Sequence, residues 1–98
     1  MTAPTILLVE DDAPLRALMS RALKENGFGV QAASGAPEMW TAMESGTIDL
    51  ILLDIMLPGT NGYDLCRSLR QRTDAPIIFV SAKGSETDRV VGLELGAD

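Results

Sequence analysis

Four carboxylates and one hydroxyl stand where chemistry could be done. Glu10, Asp11 and Asp12 follow the apolar run Ile6-Leu7-Leu8-Val9 without a break. Asp54 follows Leu50-Ile51-Leu52-Leu53, and Ser81 follows Ile77-Ile78-Phe79-Val80. Carboxylates brought close together raise one another's cost of ionising. A hard divalent cation relieves that repulsion, and magnesium takes one or two carboxylates, several waters and a phosphate oxygen rather than a complete protein cage. A carboxylate is also a nucleophile able to form an acyl phosphate. Phosphoryl transfer then asks mainly for positioning and charge neutralisation. The group points to Mg2+-dependent phosphate chemistry, with the Ser81 hydroxyl able to hydrogen-bond a phosphoryl oxygen. Plainer uses compete. Asp11 or Asp12 can cap a helix beginning near Pro14, where the helix dipole favours negative charge, and for Asp12 the cap is the better reading. Ser81 taken alone reads as a strand-end turn residue. Asp54 is harder to explain away, because an acid closing an apolar strand costs desolvation unless something compensates.

The three apolar runs are continuous rather than alternating, which predicts strands buried on both faces, as in a parallel sheet. A weaker run from Gly29 to Ala33 predicts a fourth strand. Leu15, Leu18, Met19, Ala22 and Leu23 mark one face of a helix, ended by Asn26-Gly27. Met39, Trp40 and Met43 mark a second helix, begun by Pro37 near its first turn. Leu65, Cys66 and Leu69 mark a third after Gly62. Val90, Val91, Leu93 and Leu95 mark a fourth, with Ser85 as its N-cap and Gly96 as its stop. The order β-α-β-α-β-α-β-α predicts a doubly wound parallel α/β sheet with right-handed crossovers. In such sheets ligands bind outside the carboxyl ends of the strands, where the strand order reverses. If the first and third strands are neighbours, with the second outside the first, Glu10, Asp11 and Asp54 converge in one crevice. The turn-rich loop Pro58-Gly59-Thr60-Asn61-Gly62 is a β-α connection that also lets a main-chain carbonyl face the cation.

Composition narrows the field. Ninety-eight residues allow one small domain, and 46% hydrophobic with 22% charged residues is ordinary globular usage. A net charge of −6 argues against direct grip on nucleic acid or an anionic membrane and suits cations or a basic partner. With no histidine, Ser-His-Asp triads and His-ligated metals are excluded. One cysteine, Cys66, excludes an intrachain disulfide and a Cys-rich zinc site, which suits a reducing cytosol. The start Met-Thr-Ala-Pro-Thr lacks the basic region of a signal peptide. The longest apolar stretch, residues 48–57, is broken by Asp49 and Asp54, so no membrane span is expected.

Four motifs in order carry a resemblance: Val9-Glu10-Asp11-Asp12, the segment from Leu53 through Asp54 to Gly62, Val80-Ser81-Ala82-Lys83, and Gly92-Leu93-Glu94-Leu95-Gly96-Ala97-Asp98. Together they resemble the receiver domain of bacterial two-component response regulators, and most closely the OmpR/PhoB subfamily of transcription factors. The resemblance runs from about Thr5 to the last residue. It implies a flavodoxin-like (CheY-like) fold with strand order 2-1-3-4. It also implies a set of roles. Asp54 matches the phosphoacceptor. Asp11 matches the acid that touches Mg2+ directly, and Glu10 the acid that acts through water. Met56 matches the residue whose main-chain carbonyl completes the metal site, and Ser81 the hydroxyl that binds the phosphoryl group and helps switch the domain. Arg89, Glu94 and Asp98 match charged positions of the subfamily's dimer face, though a solvated helix surface accounts for them equally well. The implied partners are a sensor histidine kinase, a second copy of the chain, and DNA only through an effector domain beyond residue 98. The implied location is the cytoplasm. Such a domain catalyses only its own phosphorylation and dephosphorylation and is not otherwise an enzyme.

The chain departs from the family where the family's fifth strand would bring a lysine to the phosphoryl group. Lys83 is not that lysine; it follows Ser81 by two positions and reads as a surface residue. The expectation is therefore a receiver incomplete at its C-terminus. The strand Ile77–Val80 would then be an exposed apolar edge, promoting association or a domain swap and impairing phosphotransfer. Two rivals follow. A haloacid-dehalogenase-type phosphatase also uses a strand-end aspartate with Mg2+, but needs a second acid where this chain has Met56. A pseudo-receiver would use the fold for docking without phosphorylation. Gly27-Phe28-Gly29 makes a poor dinucleotide site, because it follows a helix rather than a strand.

Overall fold

The computed structural model describes residues 3–54, 57 and 61–80. The predicted helix over residues 90–95, with Ser85 and Gly96, lies outside them. Seven elements alternate: β1 (Thr5–Val9), α1 (Ala13–Glu25), β2 (Gly29–Ala33), α2 (Ala36–Ser45), β3 (Leu50–Asp54), α3 (Gly62–Arg70) and β4 (Ile77–Val80). The strands form one parallel sheet in the order β2-β1-β3-β4. The chain first steps outward from β1 to β2, then back across β1 to β3 and on to β4. Right-handed crossovers put α1 on one face of the sheet and α2 and α3 on the other.

The α2–α3 face is sealed. Leu7 and Val9 of β1, Ile51 and Leu53 of β3, and Ile77 and Phe79 of β4 are all buried there against Met39, Ala42, Leu65, Cys66 and Leu69. The Phe79 ring meets Tyr63 of α3 edge to face, with centroids 5.0 Å apart. Trp40 of α2 packs against this core from the rim, and its ring lies 4.6 Å below the guanidinium of Arg72.

The α1 face is thinner, and here the structure corrects two expectations. Continuous apolar runs predicted burial on both faces. That holds for β1, where Ile6 and Leu8 are as buried as Leu7 and Val9. In β3 and β4 burial alternates instead: Leu50, Leu52, Ile78 and Val80 are only half-buried. The predicted apolar stripe of α1 is also only partly used. Leu15, Met19 and Leu23 are half-buried, Ala22 is exposed, and Leu18 is 58% exposed. The physical reason is coverage. Among the described residues α1 is the only helix on this face, and it lies over β1 and the small residues of β2, leaving β3 and β4 less shielded.

Local signals set the helix ends. Asp12 is the N-cap of α1, its carboxylate accepting from the Leu15 N–H at 3.0 Å. The other end closes with Gly27 at φ 91°, where Gly27 N–H reaches Lys24 C=O and Phe28 N–H reaches Leu23 C=O, both at 3.1 Å. This pattern needs a left-handed residue, and glycine adopts it without strain. Asn61 caps α3 by accepting from the Tyr63 N–H at 2.8 Å. Gly35 caps α2 with no side chain, and Glu38 compensates by accepting from both the N–H and the hydroxyl of Ser34, at 2.5 and 2.7 Å.

Candidate functional site

Strand register builds the site. Val9 lies beside Leu53 in the sheet, so Glu10 and Asp54 are each one step beyond an aligned pair at the carboxyl edge. Asp54 is itself the last residue of β3, paired with Val80, rather than the first residue after the strand. Glu10, Asp11 and Asp54 each bring a carboxylate oxygen within 4.8 Å of the others. Glu10 is 1% exposed and Asp54 2%, and these two are the buried charged residues among those described. Asp12 turns away to cap α1.

The backbone holds Glu10 from several sides. Its N–H donates to Ala33 C=O at 3.0 Å, and its C=O accepts from the Arg16 guanidinium at 2.8 Å. Its Oε2 accepts from the Asp12 N–H at 3.1 Å. Glu10 Oε1 and Asp11 Oδ1 are buried and receive no hydrogen bond among the described residues. Burial pushes the Glu10 carboxyl up to about 7; the Asp12 amide opposes this, and the adjoining Asp54 and Asp11 carboxyls add to it.

Buried carboxylate oxygens without donors are costly unless a cation takes them. The donors are all oxygen, which suits a hard divalent ion such as Mg2+ and not a soft thiophilic metal. The residues present therefore fit the ion expected from sequence.

Other candidates fall elsewhere. Met56, Ser81, Lys83, Arg89, Glu94 and Asp98 lie outside the described residues. Cys66 is buried in the core, where desolvation raises its thiol despite the nearby charges of Arg70 and Arg67, as suits an inert packing residue. Sequence reasoning did not single out Arg16. The available signal was modest: a cation one turn into a helix whose start is crowded with acids.

The model of the response regulator receiver domain family matches residues 6–98. The chain belongs to that family. The family expected from the motifs is the family found, its OmpR/PhoB-like branch included. The chain is 43% identical over 94 residues to the sensory transduction protein RegX3 of Mycolicibacterium smegmatis and 42% identical over 94 residues to RegX3 of Mycobacterium tuberculosis. Each alignment takes in 96% of this chain and 41% of the relative, so the chain spans less than half the length of these curated relatives. Among solved structures, the receiver domain of the TMAO respiratory system response regulator TorR superposes with a TM-score of 0.81 at 38% identity, over 97% of this chain and 79% of that one. The response regulator TrrA of Thermotoga maritima, solved in complex with Mg2+ and BeF, gives a TM-score of 0.79 at 31% identity, over 97% and 82% of the two chains. The fold is the CheY-like receiver fold with strand order 2-1-3-4. The receiver domain is a signalling module of two-component systems rather than a classical enzyme, and receiver domains bind Mg2+ in their acidic pocket. Neither the phosphatase nor the pseudo-receiver alternative is favoured. No described helix is long and apolar enough to cross a membrane.

Proposed function

We propose that this receiver domain accepts a phosphoryl group on Asp54 from a sensor histidine kinase and so switches a longer response regulator. The observation that carries the reading is the convergence of Glu10, Asp11 and Asp54 at the carboxyl edge, where no described donor satisfies the buried Glu10 Oε1 and Asp11 Oδ1, in a chain of this family. A carboxylate oxygen of Asp54 forms the bond to phosphorus while the phosphorus–nitrogen bond of the kinase's phosphohistidine breaks. The leaving imidazole nitrogen keeps the electron pair and is protonated. Asp11, Asp54 and the main-chain carbonyl of Met56, with Glu10 through water, would hold Mg2+, which would supply neutralising charge for the carboxylates and the phosphoryl oxygens. Val9 and Leu53 form a dry floor beneath the acids, and the Asp12 amide orients Glu10.

The Ser81 hydroxyl binds the phosphoryl group and responds to it. The added charge then changes the pairing of a dimer face containing Arg89, Glu94 and Asp98. Output through DNA belongs to an effector domain beyond residue 98, and the setting is the cytoplasm. The test is the intact mass, after incubation with Mg2+ and acetyl phosphate, of a chain extended past residue 98 through the family's fifth strand and its lysine. That wild type is expected to gain one phosphoryl group, and its Asp54→Asn variant none. No gain in the extended wild type, or equal gain in the variant, overturns the reading.

A further inference from the structure

Arg16 sits in an electrostatically awkward place. A cation near a helix N-terminus meets the positive end of the dipole, and α1 offers it no acidic side chain in the first turn. Its guanidinium instead crosses to the Glu10 carbonyl at 2.8 Å, six residues back in the chain. Glu10 is 1% exposed, so that carbonyl has little access to water. Glu38 of α2 accepts from the Ser34 N–H and hydroxyl, which hold its carboxyl low. Ser34 follows Ala33, and Ala33 C=O accepts from the Glu10 N–H.

We infer that Arg16 is a positioning residue of the acidic pocket, fixing the Glu10 main chain so that its carboxylate faces Asp11 and Asp54. The inference rests on the proposed reading of that pocket as the Mg2+ site. Both main-chain groups of Glu10 are engaged, one by the sheet and one by Arg16. Removing the second leaves the residue free to rotate about the first, and the Asp12 N–H loses its fixed acceptor. Groups that orient a metal ligand are energetically coupled to the ion without touching it.

The test uses Arg16→Met, which keeps the aliphatic stem, Arg16→Lys, which keeps the charge and a donor, and Arg21→Met as a control on an exposed pair of the same helix. Two quantities are read: Mg2+ affinity by calorimetry, and hydrogen exchange of the Asp12 amide in the metal-free protein. Arg16→Met is expected to bind Mg2+ about tenfold more weakly, Arg16→Lys to recover to within about threefold of wild type, and Arg21→Met to match it. The Asp12 amide is expected to exchange faster in Arg16→Met alone. Wild-type Mg2+ affinity together with wild-type exchange in Arg16→Met overturns the inference. Should Arg16→Met fail to fold, Arg16→Gln, which keeps a polar side chain but removes the charge and the guanidinium that meets the Glu10 carbonyl, takes its place. Unchanged affinity and exchange in that variant likewise overturn it. A wild type that takes up no Mg2+ defeats the reading of the pocket instead, and the exchange of the Asp12 amide then decides the role of Arg16 by itself.

Discussion

β1 and β3 each join two materials. Along their length, Leu7, Val9, Ile51 and Leu53 are wholly removed from water. One residue further, Glu10 and Asp54 are removed almost as completely. The degree of burial is the same and its energetic meaning is opposite. For the apolar side chains burial is the driving force of folding, at about 25 cal/mol per Å2 of surface. For the acids it is a cost, visible in the raised Glu10 carboxyl. The sheet is a rigid apolar platform whose tip is left unfavourable until a cation arrives.

Three experiments sharpen or break that contrast. The largest effect is expected on the apolar side: Leu53→Ala should lose about 2–5 kcal/mol of stability by chemical denaturation, through lost burial and a residual cavity. A loss below 1 kcal/mol would mean that the platform is not rigid.

The acidic side should respond to pH with the opposite sense to an ordinary ion-paired carboxylate. Between pH 4.5 and about 7 the folded Glu10 keeps a proton that the unfolded chain has released. Metal-free stability should therefore fall as pH rises through this window, by about 3 kcal/mol, and level off above it. Saturating Mg2+ should offset the fall, since binding displaces the proton. Glu10→Gln should flatten the metal-free curve. A curve equally steep in that variant would assign the slope to other groups.

The smallest effect is expected on the α1 face. Leu18→Gln should change stability by no more than about 0.5 kcal/mol, because Leu18 is already 58% exposed. A larger loss would show that this face is better covered in solution than the described elements make it.

Sequence and structure agree where one local signal dominates. The apolar runs marked β1, β3 and β4. Asp12 before Pro14 marked the start of α1, and Gly27 its end. The acids were legible because strand ends in a doubly wound sheet face one crevice, whatever the loops do. Coverage was not legible. Leu50-Ile51-Leu52-Leu53 reads the same whether one face or both are sealed, and only the placement of α1 over β1 and β2 settles it. Arg16 was missed for a related reason. Its partner is a main-chain carbonyl, which every residue possesses and no motif marks.

The contact between Trp40 and Arg72 has a practical consequence. Trp40 is the only tryptophan in the chain, and it joins α2 to the turn that leads from α3 into β4, away from the acidic tip. Its fluorescence is therefore a built-in optical gauge of whether those elements remain docked, with the guanidinium overhead as a nearby electrostatic influence on its emission. Titrating Mg2+ while watching that single emitter would reveal how far a charge change at one edge of the sheet is felt at its flank.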